Sequence, residues 1–322
     1  MRLEYKFSTE NFMYSLRLTR ANKNNYYKVL YGLSNNIEKN YTDIYIDKRN
    51  RRGKRHITVP NKYLKNIQRK ILYNYLMNFA VSKYAIAYKS GRNIVDNASP
   101  HINQNMIVKL DIKDFFSSIN TYQVYAYCFV VKQLDYKDGM LLAKLCTLNN
   151  TLPQGAPTSP YISNIVMKHF DDIIGNYCGN NNINYSRYSD DMTFSGENID
   201  VKALIKIVKE NLFPLGLNLN VEKTHVVFKS HSQNVTGIIV NEKPQVAKSY
   251  RKHIRQEIYY IKKFGIESHM DKLKLKSMKK RDGYVNKLYG RILYVLQVNP
   301  NDKEFIEYKE IIKNFKDAIN TK

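Results

Sequence analysis

The sequence predicts an α+β protein in which a small antiparallel sheet is backed by helices. A nearly continuous apolar strand at residues 106–110 ends directly in Asp111. Short runs of β-forming residues flank residues 188–191, which predicts a strand–turn–strand with two adjacent acids at its tip. Amphipathic helical segments separate and follow these strands, and this order favours helices packed on one face of the sheet.

The composition predicts a polyanionic partner. The chain has 322 residues, enough for two or three packed units, and a formal net charge of +24, which favours nucleic acid or an anionic membrane surface. It has no apolar stretch long enough to span a membrane, and its N-terminus lacks the apolar core of a secretory signal. Three widely spaced cysteines indicate a reducing compartment and no zinc site. We therefore expect a cytoplasmic protein that binds nucleic acid and no membrane.

Residues 41–60 predict a β-hairpin with a cationic tip. Strands are predicted near 41–46 and 56–59, and the turn at 48–55 consists mostly of Lys and Arg. This turn is either a solvated charged loop or a finger that grips phosphates, and the pattern leaves both open. An amphipathic helix with a core-packing apolar stripe is predicted at 63–75.

Residues 152–160 predict a rigid, extended loop, because three prolines and one glycine stand among nine residues. A helix is predicted at 161–174, with Ser159 as its N-cap and Pro160 as its first residue. A rigid loop that leads into a helix N-terminus is a natural anion site.

The acids at the strand ends predict a metal site. In a small antiparallel sheet the end of the first strand and the hairpin tip are neighbours, so we expect Asp111, Asp190 and Asp191 to converge. Three carboxylates around two Mg²⁺ ions suit in-line phosphoryl transfer. Taken singly, these acids have plainer explanations. Asp190 and Asp191 would more often form an exposed turn, and Asp111 or Asp114 could be a helix N-cap.

Together these segments resemble the motifs of the reverse transcriptase family, in the family's order and at plausible spacing. The similarity spans about residues 45–300. The usual hairpin of this group reads Tyr-Ala-Asp-Asp, whereas Ser189 stands here, a departure that we expect to be tolerated. The matching segments are 110–116, 152–160 and 188–191 for three successive motifs, 216–220 with 223–224 for the fourth, and 55–57 for the fingertip element.

Two short elements are similar to those of bacterial retron reverse transcriptases. Asn97 and His101 match an Asn-Ala-x-x-His element, and Val235, Thr236 and Gly237 match a Val-Thr-Gly motif. Group II intron and diversity-generating relatives share the other motifs, so the assignment to the retron type rests mainly on these two elements.

The resemblance implies the fold of a right-hand polymerase with fingers, palm and thumb. Residues 1–105 would form an N-terminal segment and fingers, 106–246 the palm, and 247–322 a helical, basic thumb. Finger elements would be interleaved in the palm at about 121–160. The change to basic helices near Ala247 marks the last boundary.

The resemblance also implies the catalytic centre. Asp111, Asp190 and Asp191 would be the catalytic residues and would bind two Mg²⁺ ions. The carbonyl of Ile112 would be a further metal ligand.

Four residues would contact the incoming dNTP. Arg55, with Lys54 beside it, would hold the triphosphate, and Gln154 would support the nucleotide. Phe116 would clash with a ribose 2′-hydroxyl, although on its own it reads as a core residue. Lys223 would either protonate the leaving pyrophosphate or be a surface lysine without a catalytic role.

The resemblance further implies RNA partners. The enzyme would copy part of a cognate structured non-coding RNA, starting from a 2′-hydroxyl of a guanosine, and would hold the RNA–DNA hybrid through its basic helices. An effector protein of an anti-phage defence system would be a further partner. Contacts with RNA or primer would be made by Asn97, His101, Val235, Thr236, Gly237, Arg251 and Arg255.

Three alternatives remain open. An RNA-dependent RNA polymerase would share the fold, but Phe116 argues against it. A non-catalytic RNA-binding scaffold is disfavoured by the three intact acids. A group II intron-like or other bacterial reverse transcriptase would lack priming from a 2′-hydroxyl.

Overall fold

The computed structural model describes residues 23–47, 53–130 and 134–320. These residues divide into two compact units. The first consists of the described residues up to Arg92, Val108–Phe194 and Asn198–Val226, and the second of Asn93–Ile107, Ser195–Glu197 and the described residues from Val227 onward. The predicted division into fingers, palm and thumb uses other boundaries and stays a prediction.

A helix and a β-hairpin begin the first unit. Helix α1 spans Lys23–Asn35, strand β1 spans Tyr41–Asp47 and strand β2 spans Lys54–Pro60. The strands pair antiparallel, from Tyr41 opposite Pro60 to Asp47 opposite Lys54, so the predicted hairpin is confirmed. Its basic tip at 48–52 lies outside the described residues.

Helix α2, Lys62–Asn74, has the predicted amphipathic character. The Asn61 side chain caps it by accepting the Leu64 N–H at 2.9 Å, and Leu64, Ile67 and Ile71 are buried. Helix α3, Ile94–Ala98, belongs to the second unit.

A four-stranded sheet carries the predicted acids. Its strands are β3, Met106–Asp111; β4, Asn184–Tyr188; β5, Asp191–Gly196; and β6, His225–Phe228, in the spatial order β4–β5–β3–β6. Strand β3 is buried at every position but Lys109, as its apolar sequence predicted. Strands β4 and β5 form the expected hairpin around Ser189 and Asp190.

The remaining helices of the first unit interrupt and follow these strands. They are α4, Thr121–Val124, which continues as a π-helical turn at Tyr125–Phe129; α5, Tyr136–Cys146; α6, Ser159–Val166; α7, Lys168–Asn180; and α8, Val201–Leu212. The single helix predicted at 161–174 is therefore wrong in its bounds. It begins at Ser159 and ends at Val166, and Thr158 rather than Ser159 precedes it.

The second unit is mostly helical after Ala247, as the sequence predicted. Strands β7, Asn234–Val235; β8, Ile238–Ile239; and β9, Gln245–Val246 form a small sheet, followed by helices α9, Lys248–Phe264; α10, Ile266–Lys272; α11, Met278–Val298; and α12, Lys303–Asn320. Ile254, Ile258, Ile292, Val295 and Phe305 belong to one buried core. Within the described ranges, none of the helices combines the length and hydropathy of a membrane span.

Candidate active site

The end of strand β3 is held between two other segments. On one side, the Ile112 N–H donates to the Asp190 carbonyl at 3.1 Å. On the other, the Asn220 N–H donates to the Asp111 carbonyl at 2.7 Å. These backbone bonds bring Asp111, the hairpin tip and the segment leading to Lys223 to one edge of the sheet.

The three predicted acids interact at this edge. Burial, followed by the negative charges of Asp190 and Asp111, raises the pKa of Asp191 to about 6. The pKa of Asp190 is also raised, chiefly by burial and then by the charge of Asp111. Carboxylates that repel one another in this way are stabilised by a cation placed among them.

Lys223 supplies one such positive charge. Its Nζ donates to both carboxylate oxygens of Asp111, at 2.9 and 3.0 Å. Burial lowers the pKa of Lys223, but the hydrogen bond to Asp111 and the nearby acids outweigh it, so the pKa is raised overall. Lys223 is thus a charged member of the site, and its role as a general acid stays a prediction.

The acids fit a divalent cation by their chemistry, because carboxylate oxygens are the hard ligands that Mg²⁺ prefers. No group of three or more Asp, Glu, His or Cys side chains among the described residues has the arrangement of a formed metal site. The fit therefore rests on the donor type and on the raised pKa values of Asp190 and Asp191. The carbonyl of Ile112 as a further ligand stays a prediction.

The turn between strands β4 and β5 has an unusual backbone conformation. Ser189 has φ = 64°, in the left-handed region that side chains other than glycine adopt at a cost. Two hydrogen bonds hold it there. The Arg187 Nη1 donates to the Ser189 carbonyl at 2.9 Å, and the Tyr88 hydroxyl donates to the Ser189 Oγ at 3.1 Å. We expected a serine at position 189 to be tolerated without a role of its own. Its side chain instead makes a specific contact.

Arg187 is a residue that the sequence analysis missed. It is fully buried, and its Nε and Nη2 donate to the two carboxylate oxygens of Asp171 at 2.8 and 2.6 Å. Nη2 also donates to the Asn164 Oδ1 at 3.2 Å. Bidentate geometry fixes the guanidinium, which in turn fixes the hairpin turn. An arginine inside a run of β-forming residues was the only signal in the sequence.

The same network holds the loop at 84–88 beside the hairpin. The Asn164 Nδ2 donates to the Ala87 carbonyl at 2.8 Å, and the Arg187 N–H donates to the Tyr84 carbonyl at 2.8 Å. Tyr88, which ends this loop, also has a left-handed φ, 62°. The loop therefore presents the Tyr88 hydroxyl to Ser189.

A cavity of about 690 Å³ opens in front of the acids. Its walls come from strand β2, the loop before helix α6, the segment after β3, and the hairpin. Its lining residues include Lys54, His56, Tyr88, Asp111, Phe116, Gln154, Gly155, Asp190, Asp191 and Lys223.

Gly155 allows the predicted rigid loop to pack against strand β2. Its φ is 142°, and a Cβ at this position would lie 2.5 Å from the Thr58 carbonyl oxygen. The Thr58 N–H donates to the Gln154 carbonyl at 3.0 Å. Only glycine permits this approach, which holds Gln154 at the cavity wall with its side chain exposed.

The other residues predicted to contact the nucleotide differ in their positions. Phe116 is half-buried and lines the cavity, whereas Phe115, with its ring centroid 5.4 Å away, is buried in the core. Arg55 lies in strand β2, but its side chain is outside the described residues. Its neighbours Lys54 and His56 line the cavity.

The two short elements meet inside the second unit. The Asn97 Nδ2 donates to the Thr236 Oγ1 at 3.4 Å, and the His101 Nδ1 lies 2.7 Å from the Ser195 Oγ. Asn97, His101 and Val235 are buried, while Thr236 and Gly237 form a turn with φ of 47° and 91°. The Asn97 side chain thus contacts this turn, and the predicted RNA contacts stay predictions.

The two predicted arginine contacts on helix α9 are engaged by acids. Arg255 donates to both carboxylate oxygens of Glu304 at 2.6–2.9 Å. Arg251 lies 3.6 Å from Asp302. Both arginines therefore tie α9 to the beginning of the last helix, and an RNA contact would have to compete with these ion pairs.

Comparison with known proteins shows the family of this chain. A family model described as "Reverse transcriptase (RNA-dependent DNA polymerase)" matches residues 46–240, a range that includes the acids, the cavity loop and Lys223. The chain therefore belongs to the reverse transcriptase family, whose members generally use divalent metal ions. Its relatives place it with the bacterial retron-type members.

Two Escherichia coli relatives illustrate the similarity. The retron Ec86 reverse transcriptase is 33% identical over 64% of this chain and 65% of its own length. The retron Ec83 reverse transcriptase is 32% identical over 80% of this chain and 83% of its own. The chain thus spans just under two thirds of the first relative. Among solved structures, telomerase from Candida albicans aligns at 10% identity and a TM-score of 0.47, covering 92% of this chain and 68% of that one.

Proposed function

We propose that this chain is an RNA-directed DNA polymerase that uses two Mg²⁺ ions and dNTPs. The observation that carries the proposal is the edge of the sheet where Asp111, Asp190 and Asp191 interact in front of an open cavity. Bound divalent ions would activate the attacking hydroxyl and stabilise the leaving pyrophosphate.

The residues of the chain have separate tasks in this proposal. The three acids hold the ions, and Lys223 donates a proton to the leaving pyrophosphate from its place beside Asp111. Phe116 occupies the cavity wall where an aromatic ring would exclude a ribose 2′-hydroxyl. Gln154 and Lys54 line the same cavity, and in this proposal they contact the nucleotide together with Arg55.

We further propose that the template is a cognate structured non-coding RNA, primed from one of its 2′-hydroxyls to give a branched RNA–DNA product. The support is the similarity to proteins named as retron reverse transcriptases and the net charge of +24. A role in anti-phage defence with an effector protein belongs to the same proposal.

Primer extension on an RNA template tests the polymerase. Asp190→Asn and Asp191→Asn should each lower the rate by roughly 10³-fold or more, because several kcal/mol of charge stabilisation is lost. Glu197→Gln, at an exposed acid just beyond β5, is the matched control and should leave the rate unchanged. Unchanged synthesis by the Asp variants would remove the proposed metal site.

Sequencing of the nucleic acid that co-purifies with the chain tests the retron proposal. A branched RNA–DNA species, resistant to alkali at one ribose, is the expected result. Unbranched cDNA, made by an active enzyme, would instead favour an intron-like or other relative. Binding of the co-purifying RNA should also weaken steeply with salt, because its phosphates release counterions.

A further inference from the structure

A second cavity, of about 320 Å³, lies within the second unit and takes no part in the proposed polymerase site. It is bounded by helices α9, α10 and α11. Its lining residues are Gln256, Glu257, Tyr260, His269, Leu273, Tyr284, Lys287, Leu288 and Arg291.

Aromatic rings form one side of this cavity. Tyr260 and His269 stack with centroids 6.0 Å apart and planes 13° apart. Tyr284 stands tilted against His269, with centroids 5.8 Å apart. Three rings from three helices thus meet at one concave site, an arrangement suited to a flat aromatic ligand.

The polar groups of the cavity are held in place, but one of them lacks a hydrogen-bond partner among the described residues. Glu257 accepts from the Tyr284 hydroxyl at 3.0 Å and from the Arg291 Nη1 at 2.5 Å, which neutralises the acid and fixes the arginine at the wall. His269 is 92% buried, yet its Nε2 has no hydrogen-bond partner among the described residues. A buried polar atom without a partner is a position where a ligand can supply one.

The surroundings of the cavity are strongly basic. Lys272 places its Nζ 5.4 Å from the centroid of the Tyr260 ring, and Lys287 lines the cavity itself. The nearby acids Glu267 and Asp271 are both held by Arg281. The exposed lysines of this region are Lys272, Lys274, Lys276, Lys279, Lys280 and Lys287.

We propose that this cavity receives one unpaired nucleobase of the bound RNA. An RNA strand is the ligand that combines a flat aromatic ring with the negative charge that these lysines attract. Unpaired bases are recognised by stacking on aromatic side chains and by hydrogen bonds to their edges, which His269 and Gln256 can provide. At 320 Å³ the cavity has the size of a single small ligand, not of a duplex. The inference rests on the proposed RNA-directed function and adds a site that selects the RNA.

Photo-crosslinking of the chain with its co-purified RNA tests the site. After irradiation at short wavelength and digestion with nuclease and trypsin, mass spectrometry should find a nucleotide adduct on Tyr260, His269 or Tyr284. Adducts confined to other parts of the chain would overturn the proposal. The assay needs no catalysis, so its failure is distinguishable from failure of the polymerase.

Matched variants test the stacking. Tyr260→Leu should weaken binding of the co-purified RNA roughly tenfold, equally at low and high salt, because a stacked base is lost and no phosphate contact changes. Tyr260→Phe should restore it. Tyr259→Leu, at the exposed neighbouring tyrosine, should bind like wild type. Extension of an unrelated primed RNA should be the same in all four proteins.

Two results of the binding measurements would also overturn the proposal. One is an unchanged affinity of Tyr260→Leu for the RNA. If this variant instead lost a co-purifying protein, the cavity would be a protein-docking site. The other is an equal loss with Tyr260→Phe, because the ring would then be irrelevant. Thermal unfolding of each variant shows whether a loss of affinity reflects misfolding.

Discussion

Short motifs drew attention to both the acidic edge of the first unit and the turn at residues 234–237 of the second. The side chains of these two regions have different surroundings. Asp111, Asp190 and Asp191 repel one another beside an open cavity. Asn97 and His101 are buried and bonded to other residues of their own unit. The motif of the first region thus marks acids that repel one another beside a cavity, and the motif of the second marks side chains that are bonded within their own unit.

The two regions differ in how far neighbouring groups compensate their charged and polar side chains. At the acidic edge, like charges stay partly uncompensated, which is costly unless a cation or substrate binds. At the turn, the polar side chains find internal partners. Substitutions should therefore affect catalysis in the first region and folding in the second, except where a residue of the first region is itself structural.

Arg187 is that exception, and it should give the largest change in stability. Arg187→Met removes the charged partner of the buried Asp171, which keeps its hydrogen bond from the Tyr185 hydroxyl, and should cost about 3–5 kcal/mol of unfolding free energy, measured by urea denaturation. The double variant Arg187→Met/Asp171→Leu should recover most of this loss.

The control for Arg187 is Lys168→Met, which breaks the exposed ion pair with Asp172 on the same helix. It should change the unfolding free energy by less than about 1 kcal/mol. If Arg187→Met were as mild as this control, the hairpin turn would not depend on the buried network.

His101 tests the architectural role of the second region. His101→Ala leaves the Ser195 hydroxyl without its buried partner and should cost about 3 kcal/mol in urea denaturation. The KM for dNTPs of the folded variant should stay within about twofold of wild type. His253→Ala, at an exposed histidine, is the control. A changed KM with unchanged stability would give His101 a functional role instead.

Phe116 tests the chemical role of the first region. Phe116→Ala should reduce the preference for dNTPs over rNTPs by roughly tenfold, measured as a ratio of kcat/KM values, because a steric contact is removed. Phe115→Leu should lower stability but keep the preference, since that ring is buried in the core. A strong preference for rNTPs in the wild-type enzyme would contradict the whole assignment.

The sequence predicted the acidic edge because Asp111 ends an apolar strand, Asp190 and Asp191 lie at the tip of a predicted hairpin, and these two ends are neighbours in a small antiparallel sheet. It did not predict the support of Arg187, whose partners Asp171 and Asn164 lie on two helices, 16 and 23 residues away. Nor did it predict the break near Met167, where the helical pattern continues but the backbone ends one helix and starts another. Long-range polar pairs leave no periodic signal.

The contact between Ser189 and Tyr88 is another long-range polar pair that the sequence did not predict. Ser189 differs from the usual Ala of the motif and was expected to be tolerated. Its hydroxyl accepts from Tyr88, so Ser189→Ala and Tyr88→Phe should each cost about 0.5–1.5 kcal/mol, and the double variant about the same as either one.

Ser189→Gly separates the effect of this hydrogen bond on stability from the effect of the backbone conformation. Glycine adopts φ = 64° without strain, so this variant should offset part of the lost hydrogen bond, whereas Ser189→Ala should not. The measurements are urea denaturation and the Mg²⁺ concentration that gives half-maximal extension. Additive effects of Ser189→Ala and Tyr88→Phe would mean that the two residues act independently, and that the loop at 84–88 does not support the β4–β5 hairpin through this contact.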